Sequence, residues 1–296
     1  MELKAYLKEC VALVDAALDH YLPHEEMLPS SLHRAMRYSV FAGGKRIRPV
    51  LMMAACQAVG GEREAVLPAA CAMEMIHTYS LIHDDLPAMD DDDFRRGRPT
   101  NHKVFGEAHA ILAGDALLTE AFDLLSRPDV LTGLTADARL RLIHLLARGA
   151  GSRGMVAGQV VDMESEGKKI DFPTLEFIHT RKTGALILAA IQAGALIGSA
   201  DDGAFDRLAR YGRAAGLAFQ IADDILDIVG DQEVLGKDVG SDQERGKATY
   251  PALFGLDEAR QRAREMRDVA LEALAAFGEE AEPLRLIAHY IVDRSF

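Results

Sequence analysis

Apolar residues recur along this chain at three- and four-residue intervals, and period-two alternation is nearly absent. Residues 3–19 form one amphipathic helical stretch that stops near Pro23. Ser30 or Ser31 is placed to cap a second helix reaching about Ala42. Gly43-Gly44 breaks it, and a helix restarts near Pro49, whose ring suits a first turn, and runs to Gly60-Gly61. An apolar run of helix formers begins at Pro68 and reaches Ile82. Residues 94–104 read as a basic loop punctuated by Gly97 and Pro99. Residues 108–126 are again helical, and Pro128 and Gly133 turn the chain.

The stretch 136–163 has helical period but contains Gly149, Gly151, Gly154 and Gly158. Each glycine costs a helix about 1 kcal/mol relative to alanine, so the pattern predicts a break or a close helix contact there. Residues 165–169 form an exposed turn, and Thr174 is placed to cap a helix through about Thr180. Residues 184–198 make a central apolar helix, and 205–229 a long one. A charged, glycine-punctuated loop covers 230–247, and two amphipathic helices follow at 257–277 and 282–293. No low-complexity linker and no internal repeat divides the sequence. The expected architecture is one all-α domain over residues 1–296, a bundle of roughly ten or more helices.

Charge narrows the function classes. The chain carries 46 acidic and 33 basic residues, a net charge of -13, which argues against a nucleic-acid-coating surface. Cys10, Cys56 and Cys71 lack a CxxC spacing, and the N-terminus is amphipathic and acidic rather than a signal or transit peptide. These features predict a soluble protein of a reducing cytoplasm. The most apolar window, 185–197, is interrupted by Gln192 and is shorter than the ~20 residues that span a bilayer.

The acids are not spread evenly. Asp84, Asp85, Asp90, Asp91, Asp92 and Asp93 lie at the end of the apolar run from Pro68. Asp223, Asp224 and Asp227 lie at the end of another, 214–221. Asp223 and Asp227 are i and i+4 and share a helical face, with Asp224 about 100° away. Such carboxylates suit a hard cation such as Mg2+, which completes its shell with phosphate oxygens. Asp84 and Asp90 would be about 240° apart on an unbroken helix, but Pro87 disfavours one, and a local bulge could bring them to one side. Alone, either cluster could be a solvated acidic face.

Cations accompany both clusters. Gly43-Gly44-Lys45-Arg46-Ile47-Arg48 is a glycine turn with three basic side chains, suited to gripping phosphate. Arg95 and Arg96 follow the first acids, Lys182-Thr183-Gly184 opens the central helix, and Lys237 and Lys247 follow the second acids. His77, taken alone, fits an ordinary core position.

With their order and spacing, the segments 43–49, 81–97, 182–186, 219–227 and 235–237 resemble those of the trans-isoprenyl diphosphate synthases, over about residues 30–295. The likeness is strongest to the bacterial farnesyl diphosphate synthases. It implies the isoprenoid synthase fold, an all-α bundle around a deep central cavity, usually in a homodimer. It implies that Lys45, Arg48, His77 and Arg96 hold the diphosphate of isopentenyl diphosphate. Arg95, Lys182, Lys237 and Lys247 would hold that of the allylic substrate. Asp84, Asp85 and Asp90 on one wall and Asp223, Asp224 and Asp227 on the other would bind about three Mg2+ ions, directly or through water. Thr183 and Gln220 would lie at the allylic carbon, with Gln159 and Asp162 facing the same cavity.

The implied reaction is ionisation, condensation and elimination. Bound cations stabilise the leaving diphosphate as its charge grows, and a dry cavity shelters the carbocation. Product length would follow cavity depth. Tyr79 lies about 7.5 Å along the helix axis from Asp84, with the small Ser80 beside it. In the family, an aromatic residue here, with a two-residue insertion such as Pro87-Ala88, goes with a C15 product. Rival readings are a C20 or longer-chain synthase, a terpene cyclase or squalene-type enzyme, a non-catalytic regulatory subunit, and a simple acidic ion-binding protein. The cyclases lack a second diphosphate site of the kind that Gly43-Gly44-Lys45 and Arg95-Arg96 suggest.

Overall fold

The computed structural model describes residues 2–229 and 249–293. Helices α1 (Leu3–Tyr21), α2 (Ser30–Val40), α3 (Ile47–Gln57) and α4 (Leu67–Asp84) follow one another, a short 3-10 turn leading into α4. Twelve of the eighteen residues of α4 are buried, from Pro68 to Ile82, so it is a core helix with no polar face to offer water. The stretch Arg63–Asp84 is long and apolar enough to cross a membrane, and 72% of its apolar window is buried inside the protein. Helices α3, α6 and α1 cover it.

The basic segment after the first acids is more ordered than a loop. Phe94–Arg95 (β1) pairs antiparallel with Arg98–Pro99 (β2), in the register Phe94 to Pro99 and Arg95 to Arg98. Both central residues of the turn have positive φ, 53° at Arg96 and 72° at Gly97, the conformation that matches strand twist in a two-residue hairpin. Helices α5 (Asn101–Phe105), α6 (Glu107–Ser126) and α7 (Ala136–Ala150) follow. Thr135 caps α7 by accepting from the Ala138 N–H at 3.2 Å, a contact worth about 1 kcal/mol.

The glycine-rich run does break, between α7 and α8 (Met155–Ser165). The cap of α9 (Phe172–Ile178) is Asp171 and not Thr174. The Asp171 carboxylate accepts from the Thr174 N–H at 3.0 Å and its hydroxyl at 2.6 Å. Pro173 explains the shift, since proline is tolerated only in a first turn and fixes the helix start before it. Residues His179–Thr183 then form one π turn before α10 (Gly184–Ile197). Helix α11 (Asp202–Val229) carries the second acid cluster. Helices α12 (Tyr250–Phe254), α13 (Leu256–Ala273) and α14 (Glu282–Asp293) complete the described chain. Helix α10 packs on α3, α7 and α11, and α11 on α13, and the π turn bearing Lys182 also packs on α11, the helix bearing Asp223.

Candidate active site

The first acid cluster turns back on itself. Asp90 donates its N–H to the carbonyl of Asp84 at 2.8 Å, and Asp91 donates to that of Leu86 at 3.1 Å. Residues 85–89 therefore bulge outward, and Asp84 and Asp90 sit at the same end of α4. Burial and the charges of Asp90 and Asp85 push the Asp84 carboxyl up to about 6, against the pull of Lys182 and Arg95. Asp85 is differently used. It is 3% exposed, and Arg95 grips it through Nε at 2.7 and 2.9 Å and Nη2 at 2.5 Å. That clamp fixes the hairpin arginine against the acid wall.

The second cluster is divided in the same way. Asp223 is partly exposed, whereas Asp224 and Asp227 are 2% and 1% exposed. Asp224 Oδ2 lies 2.9 Å from His179 Nε2 and accepts the Tyr250 N–H at 2.9 Å. Its Oδ1 accepts from Gln220 Nε2 at 3.1 Å, and Gln220 Oε1 accepts from the Thr183 hydroxyl at 2.7 Å. A carboxylate only accepts, so Asp224 sets which end of the Gln220 amide faces Thr183. The His179 ring is stacked on Tyr250 at 5.3 Å, closing the network.

Lys182 joins the two walls. Its Nζ contacts Asp162 Oδ2 at 2.6 Å, and it lies close enough to Asp84 and Asp90 to be influenced by both charges. Gly158 makes this possible. A Cβ there would stand 2.1 Å from the Lys182 backbone nitrogen, so only glycine lets α8 approach the π turn this closely. Gln159, one residue on, has a buried side-chain oxygen with no hydrogen-bond partner.

The cations of the glycine turn separate into two roles. Arg46 is a structural residue, contrary to its reading as one of three phosphate-gripping groups. It is 3% exposed and donates to Glu74 at 2.7 Å, Asp15 at 2.9 Å and the Val40 carbonyl at 2.6 Å. Lys45 is exposed, and Arg48 keeps a buried Nε with no hydrogen-bond partner. Arg96 donates from Nη1 to the Gly43 carbonyl, tying the hairpin to the glycine turn. A Cβ on Gly44 would stand 2.7 Å from that guanidinium, so the contact needs glycine there. His77 lies amid these groups. Burial and the charges of Arg48, Arg96, Arg95 and Arg46 hold its imidazole well below its usual range, hence neutral. Asp223 also acts on Arg48, so this basic site and the second acid wall are neighbours.

The tertiary structure thus places Arg48, His77 and Arg96 in one basic corner with Asp223 beside it, sets Lys182 by Asp84 and Asp90, and joins Thr183 to Gln220, whereas Lys45 stands exposed in the glycine turn. Lys237 and Lys247 lie outside the described residues. His179 was missed as a site residue. Its signal was its position three residues before Lys182, which a helical turn brings alongside.

Both acid walls suit a divalent cation. Burial, with the charges of Asp90 and Asp85 beside it, disfavours the charged Asp84 carboxylate, and a hard cation there would relieve that cost. Among the described residues no three acidic, thiol or imidazole groups close into a ready-made cation cage.

Tyr79 is 8% exposed, one turn below His83, and meets that ring edge-on at 5.7 Å. His83 Nε2 in turn lies 3.1 Å from the Ile111 carbonyl of α6. Ser80 spends its hydroxyl on the His77 carbonyl at 2.8 Å.

Comparison with known proteins agrees with this geometry. The model of the polyprenyl synthetase family matches residues 29–282. Farnesyl diphosphate synthase of Geobacillus stearothermophilus is 53% identical over 262 residues, 88% of each chain. Geranylgeranyl diphosphate synthase of Cyanophora paradoxa is 46% identical over 294 residues, 99% of this chain and 97% of its own. The apo crystal structure of an FPP/GFPP synthase from Zymomonas mobilis superposes with a TM-score of 0.87 at 42% identity, covering 98% of both chains. With its helical bundle and its paired acid walls, the chain belongs to the polyprenyl synthetase family of prenyltransferases.

Proposed function

We propose that this prenyltransferase condenses isopentenyl diphosphate with dimethylallyl and then geranyl diphosphate, and stops at the C15 product, (E,E)-farnesyl diphosphate. The observation that carries the length is Tyr79. Its ring is buried below Asp84 and wedged on His83, which rests on the α6 backbone. Helical side chains lean toward the helix N-terminus, so the ring points away from the acids and closes the space beneath them. The identity to a farnesyl diphosphate synthase supports the same reading.

In this reading Lys45, Arg48, neutral His77 and Arg96 bind the isopentenyl diphosphate head. Arg95 and Lys182, held in reserve by Asp85 and Asp162, turn to the allylic diphosphate. Asp84, Asp90 and Asp223 are the residues that would hold Mg2+, with Asp85, Asp224 and Asp227 behind them. Bound Mg2+ supplies charge neutralisation for the departing diphosphate. Thr183 donates its only proton to Gln220, so its lone pairs remain available to a carbocation in the cavity. The apolar faces of α4 and α10 keep water from that cation.

Val104, Ile111 and Leu112 of α5 and α6 are 47%, 44% and 56% exposed and favour a second copy of this chain as their cover. The three cysteines are free and buried, which suits a reducing cytoplasm. The alternative is a C20 synthase, favoured by relatives such as that of Cyanophora. Chromatography of products from dimethylallyl, geranyl and farnesyl diphosphate with labelled isopentenyl diphosphate and Mg2+ tests both. The C15 reading expects turnover of the first two primers and little of the third. Accumulation of C20 from all three overturns it.

A further inference from the structure

A cavity lies between α7, α10, α11 and α13, beside the π turn that carries Lys182 and Thr183 but lined by none of the acid-wall residues. It measures about 560 Å³, and its floor is apolar, built from Leu145, Leu188, Ala189, Leu217, Met266 and Val269. Arg148, Arg153, Arg181, Arg210 and Arg213 stand around it, all exposed. Five arginines about one groove are unexpected in a chain of net charge -13. Arg210 is held by Glu272 at 2.5 Å, and Arg181 donates to the Arg153 carbonyl at 3.2 Å. Among the described residues no carboxylate pairs with Arg148, Arg153 or Arg213 within salt-bridge distance.

The size and shape select the occupant. Along the π turn and α10 the lining runs from Arg181 to Gln192, about 16 Å at the helical rise. A docked helix is about 10 Å across and needs more room than this cavity has, whereas small ligands occupy roughly 300–1,000 Å³. A long apolar floor flanked by unpaired guanidinium groups fits a single hydrocarbon chain with a phosphate-type head, which arginine grips bidentately. We infer that this groove is a second ligand site, separate from the catalytic centre, for a prenyl diphosphate, the class of compound this family's chemistry produces. The inference rests on the prenyl-transfer reading for the identity of its ligand.

The groove lies on the π turn that also carries Lys182 and Thr183. Thr180, Arg181 and Gly184 line it, while Lys182 and Thr183 of the same π turn serve the reaction side. A ligand gripping Arg181 therefore bears on the backbone that places Lys182.

Calorimetric titration of the full-length protein with farnesyl thiodiphosphate in EDTA tests the site, because removing divalent cations disables the catalytic acid walls and leaves the arginines intact. One ligand per chain is expected. The double variant Arg148→Ala/Arg213→Ala, and separately Arg213→Glu, should weaken that binding about tenfold or more. Both variants should keep wild-type kcat at low product. The double variant Asp84→Asn/Asp223→Asn should bind in EDTA as the wild type does. No binding in EDTA, or binding unchanged in both arginine variants, overturns the inference. Equal binding of inorganic diphosphate overturns the role of the apolar floor, and binding of vesicles rich in anionic phospholipid in place of the thiodiphosphate overturns the ligand. Wild-type turnover of isopentenyl and geranyl diphosphate is assayed separately. Its absence would count against the proposed function and not against the groove.

Discussion

The Asp90 N–H donates to the Asp84 carbonyl at 2.8 Å, across six residues that a regular helix would have carried to different faces. Pro87, exposed at the tip of the bulge, cannot donate to a continuing helix, so the chain leaves α4 and the freed Asp84 carbonyl finds Asp90 instead. The result is two carboxylates at one helix end with insufficient positive charge between them.

Burial of Asp84, with the crowding by Asp90 and Asp85 added to it, makes stability depend on pH. The Asp84 carboxyl is pushed from 3.8 to about 6 in the folded chain. Between these values the folded state keeps a proton that the unfolded state has released, so stability falls as pH rises through this window. The cost at neutral pH is roughly 3 kcal/mol. In EDTA, the melting temperature should drop from pH 4 to pH 6.5 because of this group, and Asp84→Asn should flatten that slope and melt higher at pH 7. Added Mg2+ should raise the wild-type Tm at pH 7 and leave Asp84→Asn/Asp223→Asn unmoved. Calorimetry over the pH range decides. An apo Tm at pH 7 no higher in Asp84→Asn would contradict the crowding.

In the proposed reaction Asp224 would act through Gln220, to which it is hydrogen-bonded. Asp224→Asn retains one acceptor oxygen where the network uses two, so either Gln220 or the His179 and Tyr250 donors lose a partner. With Gln220 free to flip, its N–H2 would turn to Thr183 and bring positive charge to the place where a cation forms. The expected loss in kcat is about 10- to 100-fold, with KM for isopentenyl diphosphate nearly unchanged. Steady-state kinetics measure the split, and an equal loss appearing wholly in KM would argue for a substrate-binding role.

The two arginines of the glycine turn should behave oppositely. Arg46 and Glu74 form an ion pair with 1% and 2% side-chain exposure. Removing one partner strands the other, so Arg46→Ala should cost about 3–5 kcal/mol and lower Tm sharply. Arg48→Ala should fold with near-native stability and raise KM for isopentenyl diphosphate about tenfold or more. Parallel denaturation and kinetics on both variants check the assignment.

Cavity depth should be open to change at Tyr79. Replacing the buried ring by alanine removes the floor below His83, and Tyr79→Ala should form C20 and longer products. His83→Ala should shift the product mixture the same way to a smaller extent, since it loosens the ring's support without removing it. Product chromatography reads both, and an unchanged C15 product from Tyr79→Ala would rule out the ring as the stop.

Much of this protein was legible in its residues alone. Helical period over nearly every segment forced an all-α bundle, because an apolar stripe repeating every three to four residues can be buried only by other helices. The clustering of aspartates at the ends of apolar runs, with basic groups nearby, marked the two acid clusters and the basic corner beside them. Local rules also placed the break between α7 and α8, although they chose Thr174 where Asp171 caps.

Only the folded chain decided how like residues divide their work. Lys45, Arg46 and Arg48 are near neighbours of one charge, and nothing local says that Glu74, 28 residues beyond Arg46, captures it alone. Asp223, Asp224 and Asp227 share one helix end, yet only packing against His179 and Tyr250 buries the middle one. Electrostatic pairing and burial depend on what stands opposite, and the sequence carries no record of opposition until the helices meet.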